Sequence, residues 1–406
     1  MDLQAFQIDA PGYIVDIAGS DPAGGEWRSK AFIPHHLGNL SPSLSAKTFN
    51  QVSDARAALA ALEGSAIQLP NRWVFRHATL RREAQSTSAL EGTFAPIEDV
   101  LTASADDPQD DAMSEVLRYV SMASHAFASI MSGRRLTMNL ICEMHGELLR
   151  DSALESGAGH LRDTHVMIGS HVPGTALQVV LDNARFVPCP PGDQLQSGMD
   201  QLMDWIGTDL GEHIDPIVAT AMLHYQFECL HPFVDGNGRI GRLLVVLYLL
   251  QNGLITEPTL FVSPWFEARR DRYFDLLLRV STHNDWDAYV HFFAQGIEES
   301  ANSTASLMQS LVALQSELKN HLTTAGIRAE SARRLIDFAI SNPTFTVAQA
   351  AEGIGISYPR ANKIIAQLID LGILAVIDSA SYRRRLYAPS VHKSMSQAIH
   401  PSTGRK

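Results

Sequence analysis

Residues 231–242 read HPFVDGNGRIGR, and these twelve residues hold an imidazole, a carboxylate, two glycines ahead of the helix, an asparagine and two guanidinium groups. The residues before them, DPIVATAMLHYQFECL (215–230), and those after, RIGRLLVVLYLLQNG (239–253), carry apolar side chains at three-to-four spacing. Both flanks are therefore predicted helices, and the stretch between them is a loop that feeds a helix N-terminus. Such a terminus presents unpaired N–H groups and a partial positive charge, which together favour an anion. Gly236 and Gly238 permit positive φ and a close approach of ligand to backbone, as a phosphate nest requires. Arg239 and Arg242 are three apart and share a helical face, with Cβ atoms about 5–6 Å apart. Two planar forks at that spacing suit neighbouring phosphates of one polyphosphate. Asp235 adds one carboxylate at the edge of the nest, the usual protein share of a phosphate-bound magnesium. His231 is the group that can take a proton at neutral pH. No Lys-Ser/Thr follows the glycines, so the loop is not a P-loop. The residues describe a loop that holds a metal-bound polyphosphate and deprotonates a hydroxyl beside it.

The surrounding composition is ordinary for a globular chain: 406 residues, 45 % hydrophobic and 19 % charged, which allows two or three domains. The start, MDLQAFQIDAPGY, has neither the basic residues nor the apolar core of a secretory signal. The longest apolar run, Leu243–Leu250, is far below the roughly 20 residues of a membrane helix, so no membrane association is expected. Cys142, Cys189 and Cys229 form no CxxC pair, which argues against a zinc site or disulfide framework and points to a reducing, cytoplasmic compartment. The net charge of −12 is uneven: residues 326–406 carry eleven Lys/Arg against five Asp/Glu, a net of +6. A basic end on an acidic chain suggests a separate module.

Outward from the motif the pattern is mostly helical. Helices are predicted over Val52–Leu62, Thr79–Leu90, Met113–Met131, Leu136–Leu149, Ser197–Gly207, Arg269–Ser281, Asp285–Ser300 and Thr304–Leu322. Residues 1 to about 50, with DPAGGEW and LGNLSPSLS, read as an irregular arm. GHLRDTHVMIGS (159–170) has the alternation and flanking glycines of a hairpin, and FVPCPPGD after it is a loop by its prolines. After Thr324 the order is a helix (ARRLIDFAISNP), a helix–turn–helix (TVAQAAEGIGIS, then YPRANKIIAQLIDLGIL) and two short strands in AVIDSASYRRRLYAP. That is the order of a winged helix-turn-helix module. Its second helix, Pro359–Leu371, carries Arg360 and Lys363, and its wing carries Arg383, Arg384 and Arg385; these are candidate contacts to DNA phosphates.

HPFVDGNGRIGR resembles the motif of the Fic family, HPFx(D/E)GNGRxxR, at every fixed position, and the preceding LHYQFECL is also typical of it. LRD with VMIG looks like the family's hairpin flap, FVPCPP like the proline segment after it, and SPWFEARRDRYFDLLLRVSTHNDWDAYVHFF like its closing helices. The resemblance implies a mainly α fold: a Fic helical core with a small β-hairpin flap, joined here to a C-terminal winged helix-turn-helix domain. The domain boundaries that follow are 1–110 for an N-terminal arm and inhibitory helix, 111–305 for the core, 306–325 for a connecting helix, 326–392 for the winged helix and 393–406 for a tail. The implied activity is transfer of AMP from ATP to a Ser, Thr or Tyr hydroxyl of a target protein not identified by the sequence, and of the enzyme itself. His231 would be the general base, and Asp235 would hold Mg²⁺ (or Mn²⁺). Gly236, Asn237 and Gly238 would hold the α- and β-phosphates, Arg239 the β-phosphate and Arg242 the γ-phosphate. Val166, Met167, Ile168 and Gly169 would dock the target as an added strand, and Tyr273 would line the base and ribose pocket. A homodimer is implied by the family alone. The alternatives are removal of AMP or transfer of another phosphate-containing group by the same core, or a nucleotide-sensing transcriptional regulator acting through the winged helix.

Upstream, STSALEG (86–92) ends a helical pattern with Gly92 as a C′ residue. That puts Glu91 at a helix C-terminus, where the dipole disfavours an anion by a few tenths to about 1 kcal/mol. A residue that breaks a local rule is where function is sought. In the family, (S/T)xxxE(G/N) marks an inhibitory helix, and Thr87, Glu91 and Gly92 fit it. The resemblance implies that Glu91 pairs with Arg242 and that the enzyme is largely self-inhibited.

Overall fold

The computed structural model describes residues 1–20, 25–67, 76–103, 110–169, 177–208, 214–342, 344–377 and 385–399. The chain opens with strands β1 (Gly12–Ser20) and β2 (Glu26–Pro34), followed by α1 (Ala46–Ile67), α2 (Arg76–Leu90), α3 (Ile97–Thr102) and α4 (Asp111–Met131). Then come α5 (Met138–Leu148), α6 (Leu177–Asp182), α7 (Asp193–Gly207), α8 (Pro216–Leu230), α9 (Asn237–Gln251), α10 (Ser263–Glu267), α11 (Arg270–His283) and α12 (Trp286–Thr324). The C-terminal elements are α13 (Glu330–Ser341), β3 (Phe345–Thr346), α14 (Val347–Gly353), α15 (Tyr358–Asp370), β4 (Ala375–Val376), β5 (Arg385–Tyr387) and α16 (Pro389–Ile399). The chain is mainly helical, with a two-stranded sheet β1–β2 and a three-stranded sheet in the order β3–β5–β4 among the described residues. No described helix is long and apolar enough to cross a membrane.

Two compact units divide it. The first comprises Met1–Ala57, Arg118–Leu254 and Trp265–Glu298; the second comprises Ala58–Leu117, Ile255–Pro264 and Glu299–Lys406. In the first, α8 and α9 are the central pair. Nearly every residue of both is buried, from Ile217 to Leu230 and from Asn237 to Leu249, and a helix that is buried all round is a core element. α8 starts cleanly: Asp215 caps it by accepting from the Ile217 N–H at 2.8 Å, with Pro216 in the first turn. The two helices approach closely at Gly241, where a Cβ would lie 2.3 Å from Glu228 Oε1 and 3.1 Å from Phe227 Cδ1. Thus the 231–236 connection is held between two fixed helices.

Three sequence expectations give way here. The opening arm is not irregular: β1 and β2 pair antiparallel over nine residues each, from Gly12↔Pro34 to Ser20↔Glu26. Of the Gly/Pro signal, DPAGG belongs to the connection, outside the described residues in part, and LGNLSPSLS follows β2, while YIVDI and WRSKAFI supply the β-branched and aromatic residues of the strands. This hairpin joins Ile17, Trp27 and Ala31 to Leu181, Ala184 and Val187 in a small core. The two helices predicted at 285–300 and 304–322 are one 39-residue helix, α12, because ESANSTAS contains weak helix formers but neither Gly nor Pro to stop it. The presumed tail from 393 begins within a helix, α16.

In the second unit, the C-terminal order is α13, β3, α14, α15, β4, β5. α14 opens with a reciprocal capping box between Thr346 and Gln349, and Gly355, at φ +66°, turns the chain into α15. α2 lies against α3 and α13 in the same unit.

Candidate active site

His231 ends α8 as its C-cap, in the left-handed conformation at φ 49° and ψ 61°. Its own N–H still bonds the Phe227 carbonyl at 2.9 Å. A non-glycine side chain in that region costs roughly 1–2 kcal/mol, and the turn it makes throws the imidazole out of the helix into a part-exposed position, 20 % accessible. Nδ1 lies 3.2 Å from the Glu228 carbonyl oxygen. A carbonyl only accepts, so Nδ1 carries the proton and Nε2 is left with its lone pair. The Glu228 carboxylate stands 3.9 Å from the same Nδ1, where it favours the imidazolium that forms when Nε2 takes a proton.

Gly236 is the N-cap of α9 at φ +78°, with no side-chain cap, so the first amides of α9 have no partner within the helix. A Cβ on Gly236 would come within 2.7 Å of Leu148 Cδ2 and would force that side chain to shift, and the positive φ would strain any other residue there. The Asn237 side chain is engaged within the loop. Its Oδ1 accepts from the Phe233 N–H and its Nδ2 donates to the Phe233 carbonyl, both at 2.8 Å, with the side chain buried. Both ends of the amide are engaged in closing the loop, so what Asn237 can offer a phosphate is its backbone N–H. Arg239 is 3 % accessible and donates to Asp235 Oδ2 at 2.8 Å, while the Asp235 carboxylate is 47 % accessible. Arg242 lies one turn further along α9 and is fully buried. Among the described residues no group of three His, Cys, Asp or Glu could hold a metal. A lone, half-open carboxylate fits a cation held chiefly by phosphate oxygens and water, not one held by a protein cage.

The flap is built differently from a self-contained hairpin. Ile168 pairs antiparallel with Phe186, through Ile168 N–H to Phe186 O at 2.8 Å and Phe186 N–H to Ile168 O at 3.1 Å. The hairpin expected within 159–170 is not formed among the described residues of that stretch, of which Ser170 alone is not described; its one bridge is to Phe186, beyond it. Val166, Met167 and Ile168 are half-buried and Gly169 is exposed; Met167 packs on the β-hairpin core and His165 meets Trp27 edge to face. Tyr273, expected at the base and ribose pocket, is fully buried. Its hydroxyl donates to His224 Nε2 at 2.6 Å, and its ring stacks on Phe266. It is a core tyrosine, because the same face of α11 that carries it also buries Leu276 and Val280.

Two buried residues beneath the motif escaped the sequence reading. His145 of α5 stacks on Phe233 at 3.9 Å between centroids, and its Nδ1 accepts from the Gly159 N–H at 2.9 Å. Arg162 is 4 % accessible and reaches the His231 carbonyl. Burial pulls the pKa of His145 down to about 4 and that of His224 to about 3. Both stay neutral in the fold, whereas in the unfolded chain they protonate near 6.5. The unfolded state therefore takes up more protons as pH falls below 6.5, and stability is lost over that window, by about 1.4 kcal/mol per pH unit for each histidine. Melts in steps from pH 7 to pH 5, above most carboxylate titration, should show a falling Tm, and His224→Gln should flatten that slope. A Tm independent of pH over the interval would count against both assignments.

In the second unit α2 ends at Leu90, Gly92 takes φ +98°, and the Thr93 and Gly92 amides return to the Ser88 and Ala89 carbonyls, a glycine C-cap. Thr87 is fully buried, while Glu91 and Gly92 are exposed. Of the candidate DNA contacts, Arg360 and Lys363 lie exposed on α15, with Arg360 Nη2 3.4 Å from Ser331 Oγ. Arg385 is turned inward: Nη2 donates to the Ala103 carbonyl at 3.1 Å and to Thr344 Oγ1 at 2.9 Å. Arg81 of α2 donates to that same carbonyl at 3.0 Å. Arg385 is thus tied to the end of α3, not offered to a ligand. Arg383 and Arg384 lie outside the described residues.

Residues 135–249 match the Fic/DOC family and residues 49–128 the Fic/DOC family N-terminal region. The chain is 28 % identical over 191 residues (47 % of this chain) to a protein adenylyltransferase Fic of Nematostella vectensis, and 26 % identical over 244 residues (59 % of this chain) to that of Drosophila virilis. The matched stretch spans 38 % and 44 % of those relatives, less than half of either. A Fic family protein from Desulfovibrio desulfuricans shares the fold with a TM-score of 0.52 at 19 % identity, covering 86 % of this chain and 98 % of that one. Fic-1 (residues 134–508) from Caenorhabditis elegans gives 0.50 at 20 % identity, covering 64 % and 74 %.

Proposed function

From the premise that this chain carries a Fic/DOC family domain at residues 135–249 behind a Fic/DOC N-terminal region at 49–128, we propose that it is a protein adenylyltransferase. It moves AMP from ATP to a protein hydroxyl. The observation that supports this most is the pairing of an imidazole whose proton is fixed on Nδ1 by the Glu228 carbonyl with a glycine-capped helix start that carries Arg239 and Arg242. ATP would lay its phosphates on the amides of 236–239, with Arg239 and Arg242 neutralising them. His231 Nε2 would take the proton of the hydroxyl as it attacks the α-phosphorus, and pyrophosphate would leave in line. Asp235 would hold Mg²⁺ or Mn²⁺, which supplies charge neutralisation between phosphates. The flap from Val166 to Gly169 would align the target as an added strand.

The reaction class is tested with ATP labelled at the α- or at the γ-phosphate and the full chain as its own acceptor. Label arriving from the α position alone supports AMP transfer. Label from the γ position would replace the proposal with phosphoryl transfer, and no label from either, with nucleotide still bound, would leave it without support.

The proposal has two further parts. Glu91 acts as a brake on the transfer, a reading that rests on the TSALEG pattern and on its cost at the end of α2. The order α13–β3–α14–α15–β4–β5 supports reading this end as a winged helix, in which α15, through Arg360 and Lys363, would contact DNA phosphates. A fluorescent random-sequence duplex should then bind in a salt-dependent way, with the slope of log K against log salt reduced in the Arg360→Ala/Lys363→Ala variant. Binding that is absent at low salt would remove this part alone.

A further inference from the structure

Arg162 carries none of the roles assigned above, yet its side chain makes four hydrogen bonds beside the base. Nε donates to the His231 carbonyl at 2.7 Å, Nη1 to the Thr164 carbonyl at 2.9 Å, and Nη2 to the carbonyls of Leu230, at 3.2 Å, and Cys189. Its backbone N–H adds a bond to the Pro232 carbonyl at 2.9 Å. Four of the five guanidinium donors are thereby used, all on neutral carbonyls. Burial lowers its pKa to about 10, so it keeps its charge at neutral pH.

The carbonyls it gathers come from three places. Leu230 and His231 are the last residues of α8, where carbonyls lack helical partners and the dipole is negative. Cys189 lies in the proline segment before α7, and Thr164 lies at the root of the flap, two residues ahead of Val166. A cation that served only to cap α8 would need the first two contacts and not the flap. We propose that Arg162 is a positioning residue: its planar fork holds the left-handed His231 backbone and the root of the flap in one frame, so that base and target hydroxyl meet in register. This rests on the reading of His231 as the base.

A lysine at 162 keeps the charge and most of the length but replaces the fork with a point donor that cannot reach four carbonyls at fixed angles. A misplacement near 1 Å at a reacting centre costs on the order of 100-fold in rate. In Arg162→Lys, the kcat of α-label transfer should therefore fall about 30- to 100-fold while KM for ATP moves less than about threefold, and the pH profile of kcat should change shape. Arg162→Gln, with charge removed, should fall further; if it does not fold, the lysine variant carries the test. A second readout does not depend on transfer: the imidazole NMR signals of His231, assigned by their loss in His231→Ala, should shift in Arg162→Lys, while those of the exposed His125, bonded to Glu147, should not. If His231 signals and kcat stay at wild-type values and only Tm falls, Arg162 is structural and the proposal is overturned. If no form transfers label but the His231 signals shift, the adenylyltransferase reading fails while the positioning of His231 by Arg162 stands.

Discussion

Replacing His231 by alanine should cut transfer from α-labelled ATP by roughly 10²–10⁴-fold, the usual worth of a positioned general base, with nucleotide affinity nearly unchanged. The affinity is expected to survive because the phosphate seat is made by other groups: the amides at the start of α9, with Gly236 as N-cap, and the buried Arg239 and Arg242. The stability of the variant needs its own control. His231 sits at φ 49° and ψ 61°, and alanine there pays the left-handed cost of roughly 1–2 kcal/mol without the side chain's bond to the Glu228 carbonyl. His231→Asn answers that difficulty, since asparagine tolerates the left-handed region and cannot act as a base at neutral pH. Both variants should bind nucleotide, and both should be nearly inactive. An asparagine variant that labels itself at the wild-type rate would sink the assignment of His231, whatever alanine does.

What could be read from the sequence here was whatever a short window contains. The motif shows its imidazole, glycines and arginines within twelve residues, and the helices on either side follow from a single period. The C-cap of α2 was legible from Gly92 alone. Contacts made across long separations were not. Arg162 is 69 residues from His231 and His145 is 14 from Gly159, and no spacing rule connects such pairs. The partners of Asn237 and Tyr273 were not legible for a related reason: a polar side chain in a motif can serve the ligand or the loop, and sequence alone does not show its contacts. Asn237 closes the loop on Phe233, and Tyr273 satisfies a buried histidine. The β1–β2 hairpin was hidden because its Gly/Pro-rich connection dominated a window in which the strands were only weakly alternating. Arg385 shows the limit of counting charges, since three consecutive arginines said nothing about which one turns inward to Ala103.

The opposite sign is expected at the end of α2. Glu91→Gly should raise self-labelling on the order of 10- to 100-fold, the range of a coupling of 1–3 kcal/mol, and leave Tm within a degree or two of wild type. The two halves of that expectation come from different physics. Glu91 follows the last turn of a helix that ends at Leu90, exposed, with its anion at the negative end of the dipole. Removing the carboxylate there relieves a few tenths to about 1 kcal/mol, and glycine gives back a similar amount in backbone entropy, so the fold gains or loses little. If stability were all that Glu91 served, a neutral residue would do as well, and a Glu91→Gln variant would behave like wild type in every assay. Under the proposed brake, glutamine loses the charge and should be activated nearly as far as glycine. The combination of Glu91→Gly with His231→Ala separates released activity from any new side reaction, because it should return the label to background. Equal labelling in wild type, Glu91→Gly and Glu91→Gln, with nucleotide bound in all three, would reduce Glu91 to a solvated surface residue. The transfer chemistry of His231 would then have to be read as constitutive.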